Sequence, residues 1–238
     1  MYLSQSPTKL TPLHETAREL GANFVEFAGW QVPQVFSTVE DEVNVARLSV
    51  ALCDGSASGK IMVEGLPAAA VLQAAWTIPP LAIGQGILLD FKRVFRLREN
   101  QFFIHLDPGG EDATVETLTS VVEKSGELVT VTDITHGRAD LRLIGPQCRQ
   151  LLSRLCSLDF HPSLFPDLSA KQSSVAKARQ LIIRHDLKPR DEASIPAFSL
   201  IGARSLAAYL WQTILEAGHD LDLVPLGWSA LERLQAGN

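Results

Sequence analysis

Cysteine is scarce in this sequence, with only three among 238 residues. Cys53, Cys148 and Cys156 show no metal-ligand spacing, and their odd number leaves at least one thiol without a disulfide partner. Cys148 and Cys156 fall on one predicted helix, too far apart along it for an easy bridge. We therefore expect buried, reduced thiols, no metal site and a cytoplasmic location.

Other features that are missing narrow the class of protein further. No apolar run approaches the roughly 20 residues that cross a bilayer, and residues 1–7 are too polar for a signal peptide, so no membrane partner is expected. Lys and Arg number 21 against 27 Asp and Glu, without a basic cluster, which argues against a nucleic-acid partner. Gly84 and Gly86 alone are too short to form a dinucleotide or phosphate loop.

Apolar residues are plentiful, at 46% of the chain, and charged residues are spread along its whole length. A chain of this size buries a substantial core as one large domain or two closely packed halves. Disorder is not expected as its general state.

Several segments have the period-two pattern of strands. Residues 92–97 and 101–106 alternate in this way, and residues 98–100 are typical of a tight turn, so we expect an antiparallel hairpin. Residues 173–178 and 180–184 are predicted to be two further strands. Because such hairpin-like pairs are interleaved with helical segments, the sequence indicates the α+β class with antiparallel sheets, not a doubly wound parallel sheet.

Helix boundaries are predicted from capping residues and breakers. A helix should begin near Thr38, since acidic residues follow it and favour a first turn. The apolar and aromatic segment 24–30 is expected to end at Pro33. The last helix is predicted to run over residues 225–236.

One internal repeat is visible. Residues 61–65 can be superimposed on residues 141–145, and each block ends in glycine and is followed by proline and a helical segment. Asp54 and Asp133 precede the two blocks at nearly the same distance. The Ser or Thr two residues after each aspartate suggests an Asx-turn that orders the backbone.

The chain resembles a known family at several blocks. Residues 11–33, with the block Phe27-Ala28-Gly29-Trp30 and Pro33, resemble the N-terminus of the aminomethyltransferase (T-protein) of the glycine cleavage system. The similarity continues through Cys53-Asp54, Gly59-Lys60-Ile61, Asp133, Gly145-Pro146 and Leu226-Gly227. Residues 156–166 are also similar to the gamma subunit of heterotetrameric sarcosine oxidase.

This resemblance implies a single domain over residues 1–238, made of two interlocked halves (about 1–110 and 111–238) around an opening for tetrahydrofolate. Full aminomethyltransferases continue into a C-terminal barrel-like domain. This chain ends at Asn238, where that domain would begin, so we expect the wall that it supplies to be missing.

The resemblance also implies a catalytic residue. An aspartate pair in the family begins a strand and acts near N10 of the folate. Asp90 falls on the first aspartate, and Phe91 replaces the second. A carboxylate buried in an apolar strand would have a raised pKa and could act as acid or base. The alternative is an aspartate at a strand end that caps a turn.

Three residues are implied as cofactor ligands. Asp107 takes the place of a family asparagine. The family's pterin-binding motif has two glutamates. Glu192 lies near the first, and Ala197 replaces the second. Arg233 keeps the second arginine of the closing helix, while Ser229 replaces the first. Arg233 could instead lie on the surface and complement the helix dipole.

Three functions remain open at this level. The leading expectation is an aminomethyltransferase-like tetrahydrofolate-binding protein with degenerate or absent one-carbon transfer. The second is a non-catalytic subunit that binds a partner in a sarcosine-oxidase-like or other one-carbon complex. The third is a transferase with relocated catalytic groups. The Lys-Gly-Cys-Tyr motif of the related iron–sulfur-repair branch is not found in the chain.

Overall fold

A computed structural model describes residues 8–189 and 193–236. The helices are α1 His14–Glu19, α2 Val39–Leu48, α3 Ala68–Trp76, α4 Glu111–Ser125, α5 Cys148–Leu155, α6 Ala207–Ala217 and α7 Trp228–Ala236. The strands are β1 Lys9–Leu10, β2 Asn23–Phe27, β3 Trp30–Val35, β4 Ala51–Asp54, β5 Gly59–Glu64, β6 Gly86–Leu89, β7 Lys92–Arg98, β8 Gln101–Leu106, β9 Thr130–Asp133, β10 Arg138–Ile144, β11 Ser169–Val175, β12 Ala178–Arg184, β13 Ala197–Ala203 and β14 Val224–Leu226. Over the described ranges, none of the helices combines the length and apolar character needed to cross a membrane.

Two large sheets organise the fold. One has six strands in the order β11-β12-β13-β10-β4-β14, and the other has five in the order β6-β7-β8-β5-β9. Neighbouring strands are antiparallel except for the parallel pair β4 and β14. A small sheet, β1-β3-β2, precedes them. The expected α+β class with antiparallel sheets and flanking helices is confirmed.

The core is layered around the two sheets. Helices α5 and α6 pack their apolar side chains on the outer face of the six-stranded sheet, and α3 and α4 do so on the five-stranded sheet. The inner faces of the sheets meet through a smaller apolar cluster that includes Phe95, Phe103, Leu181 and Ile201.

The two halves of the chain are intertwined through the repeated units. Strand β4 leaves the first half to pair with β10, while β9 leaves the second half to pair with β5. Gly65 and Gly145 end the repeated strands at positive φ, and a side chain at Gly145 would lie 2.3 Å from the Ser49 carbonyl oxygen. Glycine is required at such positions because Cβ would clash with backbone. The division near residue 110 remains a prediction.

Two predicted boundaries at the ends of the chain are wrong. Pro33 does not end its segment but lies inside β3. Proline is tolerated there because the neighbouring strand β1 pairs only with Trp30 and Gln31 and makes no hydrogen bond at Pro33. The last helix begins at Trp228, because Val224–Leu226 first pair with β4.

Of two other predicted boundaries, one is wrong and one is confirmed. The strands expected at 173–178 and 180–184 are instead divided by a turn at Ala176 and Lys177, which both have positive φ. The helix start at Thr38 is confirmed, since its hydroxyl accepts a hydrogen bond from Asp41 N.

Candidate ligand site between the two large sheets

A small cavity lies where the inner faces of the two sheets meet α7. Its volume is about 130 Å³. Its walls come from β2, the loop between β4 and β5, β7, β8 and the loop after it, β10 and α7. They are formed by Phe27, Gly55, Ser58, Arg93, His105, Leu106, Asp107, Pro108, Asp140, Arg142, Trp228, Leu231, Glu232 and Gln235. Apolar and aromatic side chains face charged ones across it, which is a combination typical of small-molecule sites.

A buried polar cluster, formed by Ser56, Ser58, Lys60, His105 and Asp140, underlies this cavity. The Lys60 ammonium donates hydrogen bonds to the carbonyl oxygens of Ser56 and Ser58, at 3.1 and 2.6 Å, and to Ser58 Oγ at 3.1 Å. The single proton of Ser58 Oγ has two acceptors, the Gly55 carbonyl oxygen at 2.7 Å and Asp140 Oδ2 at 3.2 Å. Lys60 and Asp140 are 0% and 1% exposed, so one hydroxyl joins two charges that water does not reach.

His105 completes this cluster from β8. Its Nε2 lies 2.9 Å from Asp140 Oδ2 and 2.9 Å from Ser58 Oγ. Burial lowers the pKa of His105 despite the opposing effect of Asp140, so the ring is neutral near pH 7. Because an ionised carboxylate only accepts hydrogen bonds, the contact with Asp140 requires the single ring proton to lie on Nε2.

The electrostatics of the cluster favour one fixed charge state. Burial would raise the pKa of Asp140, but the His105 hydrogen bond and the charges of Lys60 and Arg142 hold it below its usual value. Burial also lowers the pKa of Lys60 to about 8, against the attraction of nearby carboxylates. Lys60 is therefore protonated at neutral pH and deprotonates in mild alkali.

Two arginines and a histidine fill the space next to the cavity. Arg93 Nε donates to His185 Nε2 at 3.1 Å. Because arginine has no acceptor, Nε2 must be unprotonated and the ring proton lies on Nδ1. Burial and the charges of Arg93 and Arg142 lower the pKa of His185 to about 2, so His185 is neutral at all ordinary pH values. Arg142 makes only long contacts of 3.4 Å with His185.

Asp107 lies at the mouth of the cavity. Its side chain is 56% exposed, and Oδ1 accepts a hydrogen bond from Arg93 Nη1 at 3.0 Å. The backbone of the same loop donates from Asp107 N to Phe91 O at 3.2 Å. Phe27 and Trp228 form the other side of the mouth, with ring centroids 5.1 Å apart. Of the predicted site residues, the structure brings Asp107 to the cavity.

Asp90 occupies one of the two environments that the sequence leaves open. It lies exposed in the two-residue turn between β6 and β7, at φ 49°. Of the two alternatives for Asp90, the structure therefore shows the aspartate in a turn at a strand end and not the carboxylate buried in an apolar strand. Aspartate is well suited to this conformation, since it tolerates positive φ in tight turns. Its catalytic assignment remains a prediction.

The two other predicted ligands are not brought to the cavity by the described residues. Arg233 is exposed on α7, whose residues Leu231, Glu232 and Gln235 face the cavity instead. Glu192 lies outside the described residues. The site also contains six residues that the sequence did not predict, namely Lys60, Arg93, His105, Asp140, Arg142 and His185. The alternation of Arg138, Asp140 and Arg142 along one strand was the available signal.

The two intertwined antiparallel sheets, their flanking helices and the cavity beside α7 define an α+β fold with a candidate small-molecule site. The sequence model of the GCVT N-terminal domain matches residues 13–237. The chain therefore belongs to the GCVT N-terminal domain family.

Relatives and solved structures agree with this assignment. An aminomethyltransferase from Symbiobacterium thermophilum is 29% identical over 95% of this chain and 63% of its own length. One from Shouchella clausii is 30% identical over 96% and 64%, respectively. This chain thus spans less than two thirds of these relatives.

Among solved structures, the aminomethyltransferase of Bartonella henselae superposes with a TM-score of 0.79 at 24% identity, covering 96% of this chain and 62% of that one. A chain of heterotetrameric sarcosine oxidase from Corynebacterium sp. U-96 gives a TM-score of 0.65 at 18% identity, covering 89% and 95%. At these identities the two structures support the fold.

Proposed function

We propose that this protein is an aminomethyltransferase-like folate-binding protein in which one-carbon transfer is degenerate or absent. The proposal is carried by the side chains that lie beside the cavity and by the position of Asp90 outside it. Arg93, Arg142 and His185 occupy the space beside the cavity, while Asp90 lies in an exposed turn. A general acid or base must approach the reacting atoms within hydrogen-bond distance, and an exposed turn outside the cavity is a poor place for it.

The cavity fits part of a folate. At about 130 Å³ it is smaller than the roughly 300–1,000 Å³ of ordinary small-molecule sites, so it can receive a ring but not a whole folate. Asp107 would accept hydrogen bonds from ring N–H groups, and Phe27 and Trp228 would pack on the flat heterocycle at the mouth. A bound tetrahydrofolate would supply the one-carbon carrier. The chain's own residues would bind and orient it.

Calorimetry with tetrahydrofolate tests this proposal. We expect weak binding to the wild-type protein, and loss of roughly ten- to hundredfold in affinity in Asp107→Ala, because a hydrogen bond to a charged group contributes about 1.5–3 kcal/mol. Asp90→Ala and Glu192→Ala test the two other carboxylates in the same way. Glu123→Gln removes an exposed carboxylate on α4 that does not line the cavity, and it should bind as wild type does.

A reconstituted glycine-cleavage assay tests the catalytic half of the proposal. We expect no measurable turnover when this protein replaces the usual T-protein. Loss of single oriented groups at active sites costs roughly 100-fold or more, and the site lacks several. Robust turnover would contradict the proposal and favour a transferase with relocated groups.

A second function, a non-catalytic subunit of a sarcosine-oxidase-like or other one-carbon complex, is favoured by the surface near the cavity. Phe27 and Phe91 are 39% and 48% exposed, and the loops that carry them both contact residues 107–110. Exposed aromatic residues of this kind are typical of protein interfaces. If tetrahydrofolate does not bind while a second subunit copurifies stoichiometrically, this function replaces the first.

We also propose that the protein works in a reducing compartment such as the cytoplasm. All three cysteines are free and buried. Burial raises the pKa of the Cys53 and Cys148 thiols, which keeps them unreactive.

A further inference from the structure

A second opening between the two large sheets lies on the other side of Asp140 from the cavity. Its volume is about 670 Å³, which is within the range of ordinary small-molecule sites. The opening, called here the arginine cleft, is lined by Met62, Arg98, Phe103, Ile134, Arg138, Gln172, Ser173, Ser174, Arg179, Gln180, Leu181 and Ile201.

The register of the six-stranded sheet places two of the arginines side by side. On one side of β13, Arg138 of β10 pairs with Ala203. On the other side, Gln180 of β12 pairs with Gly202, which places Arg179 level with Ala203. Arg138 and Arg179 are thus two strands apart, or about 10 Å between Cα atoms. Two guanidinium groups on long side chains can converge on one ligand across that distance.

Period-two alternation sets the direction of these side chains. Leu181 and Ile201 pair with each other and face the five-stranded sheet. Arg179 is two residues before Leu181, so it shares that face, and Arg138 shares it with Asp140 on β10. Arg98 reaches the cleft from the opposite sheet, at the end of β7.

The charge of the cleft is of one sign. All of its charged lining residues are arginines, in a protein whose formal net charge is −6. Within residues 8–189 and 193–236, the guanidinium groups of Arg98, Arg138 and Arg179 are exposed and make no hydrogen bond or ion pair, although the Arg98 carbonyl oxygen accepts from Arg96 Nε. Arg96, Arg154 and Arg184, in contrast, all donate to carbonyl or carboxylate oxygens. A concentration of unpaired cations in a concave site attracts an anion.

The floor of the cleft is apolar. Phe103, Leu181 and Ile201 are buried members of the cluster between the sheets, and Met62 and Ile134 pack against them. A free inorganic ion would leave this surface without a partner, whereas an anion with an aromatic or aliphatic body would cover it.

We propose that the arginine cleft binds an amphipathic organic anion, with its sulfonate, carboxylate or phosphate group between Arg138 and Arg179 and its apolar body on Phe103 and Ile201. This site does not depend on the proposed folate site, since the two share no lining residue.

A matched pair of fluorescent probes tests the proposal on the full chain. The anion is 8-anilinonaphthalene-1-sulfonate, and N-phenyl-1-naphthylamine has almost the same apolar body without the charge. We expect the anion to bind at one site and the neutral probe to bind at least tenfold more weakly. Equal binding of both probes would overturn the proposal, because it would show that the guanidinium groups contribute nothing.

Variants locate the site. Arg138→Gln and Arg179→Gln should each weaken binding of the anion roughly ten- to hundredfold, as expected for loss of one hydrogen bond to a charged group. Arg149→Gln removes an exposed arginine on α5, outside the cleft, and should change nothing. Asp107→Asn should also leave this binding unchanged. Wild-type affinity in both cleft variants, with thermal unfolding unchanged, would overturn the proposal.

Discussion

Lys60 and Asp140 occupy equivalent positions in the two repeated units and meet between the sheets through Ser58. Lys60 N donates to Thr135 Oγ1, and Asp140 N donates to Ser56 Oγ. Each of these two acceptors lies two residues after the aspartate of an Asx-turn. The carbonyl oxygens match as well, since Lys60 O accepts from Ile134 N and Asp140 O from Gly55 N. The repeat therefore places opposite charges at related positions in the centre of the molecule.

The first prediction concerns the energetic coupling of these two residues. Asp140→Asn leaves the Lys60 charge buried without its principal carboxylate and should reduce the free energy of unfolding by about 3–5 kcal/mol. Lys60→Met leaves Arg142 beside Asp140 but removes the donor to the carbonyl oxygens of Ser56 and Ser58, so it should cost about 1–3 kcal/mol. The double variant should lose much less than the sum of the two, because it buries neither charge. Urea unfolding measures all three. Lys124→Met, at an exposed position, should change stability by less than about 0.5 kcal/mol.

The second prediction is a rise in stability in alkali. The pKa of Lys60 is about 8 in the folded protein and about 10.5 in the unfolded chain, so the unfolded state binds more protons between these values. The free energy of unfolding contributed by this group should therefore increase from pH 8 to 10.5, by about 3 kcal/mol at most. Urea unfolding across this pH range measures it. The Lys60→Met/Asp140→Asn variant should lack the rise, and a rise of equal size in that variant would assign it to other groups.

The repeat and the hairpins could be read from sequence because each depends on local spacing. The blocks at 61–65 and 141–145 carry glycines whose positive φ and close backbone contacts follow from the strand-to-helix turn. The buried polar cluster could not be predicted, because Lys60 and His105 look like ordinary polar residues at alternate strand positions. Only the pairing of β5 with β8 and the packing of the two sheets bring them to Asp140.

The position of Asp90 shows the limit of motif transfer. The alignment leaves open a buried strand position or a turn at a strand end, and the structure shows the turn, because the strand ends at Leu89 and the chain turns at Asp90 and Phe91. A two-residue connection between paired strands fixes both residues at the hairpin end, whatever their neighbours in sequence. Loop length therefore decided the exposure of this carboxylate.

The third prediction concerns acid sensitivity. His185 has a pKa of about 2 in the folded protein and about 6.5 in the unfolded chain, so the unfolded state binds more protons below pH 6.5. The stability that this group contributes is present above pH 6.5 and decreases as the pH falls toward 2, with a slope of up to about 1.4 kcal/mol per pH unit. His185→Gln should flatten the acid limb of a stability profile measured by urea unfolding. His219→Gln, at an exposed position, should leave that limb unchanged.

The fourth prediction concerns the glycines that end the repeated strands. Gly65→Ala and Gly145→Ala would place Cβ 2.5 Å and 2.3 Å from backbone carbonyl oxygens, at positive φ. Each should destabilise the protein by about 1–3 kcal/mol or more, as measured by thermal unfolding. Gly137→Ala is the matched control, because nothing lies within 4 Å of its Cβ, and it should have little effect.

The last prediction concerns Arg93, which links the mouth of the cavity to its interior. Its guanidinium holds one oxygen of Asp107 by one nitrogen and His185 by another, so it both fills space and leaves only part of the carboxylate to a heterocycle. Arg93→Ala should enlarge the cavity, free both oxygens of Asp107 and tighten tetrahydrofolate binding by roughly tenfold, since a second charged acceptor atom becomes available. Calorimetry measures the change.

Two further variants separate the causes of that gain. Arg93→Met removes the charge but keeps most of the side-chain volume, so it should free Asp107 without opening the cavity and give a smaller gain. Arg93→Ala/Asp107→Ala opens the cavity without the acceptor and should lose most of the gain. If Arg93→Ala binds tetrahydrofolate no better than wild type while keeping its fold by circular dichroism, then Arg93 does not block the site, and the space beside Asp107 is not where a folate ring binds.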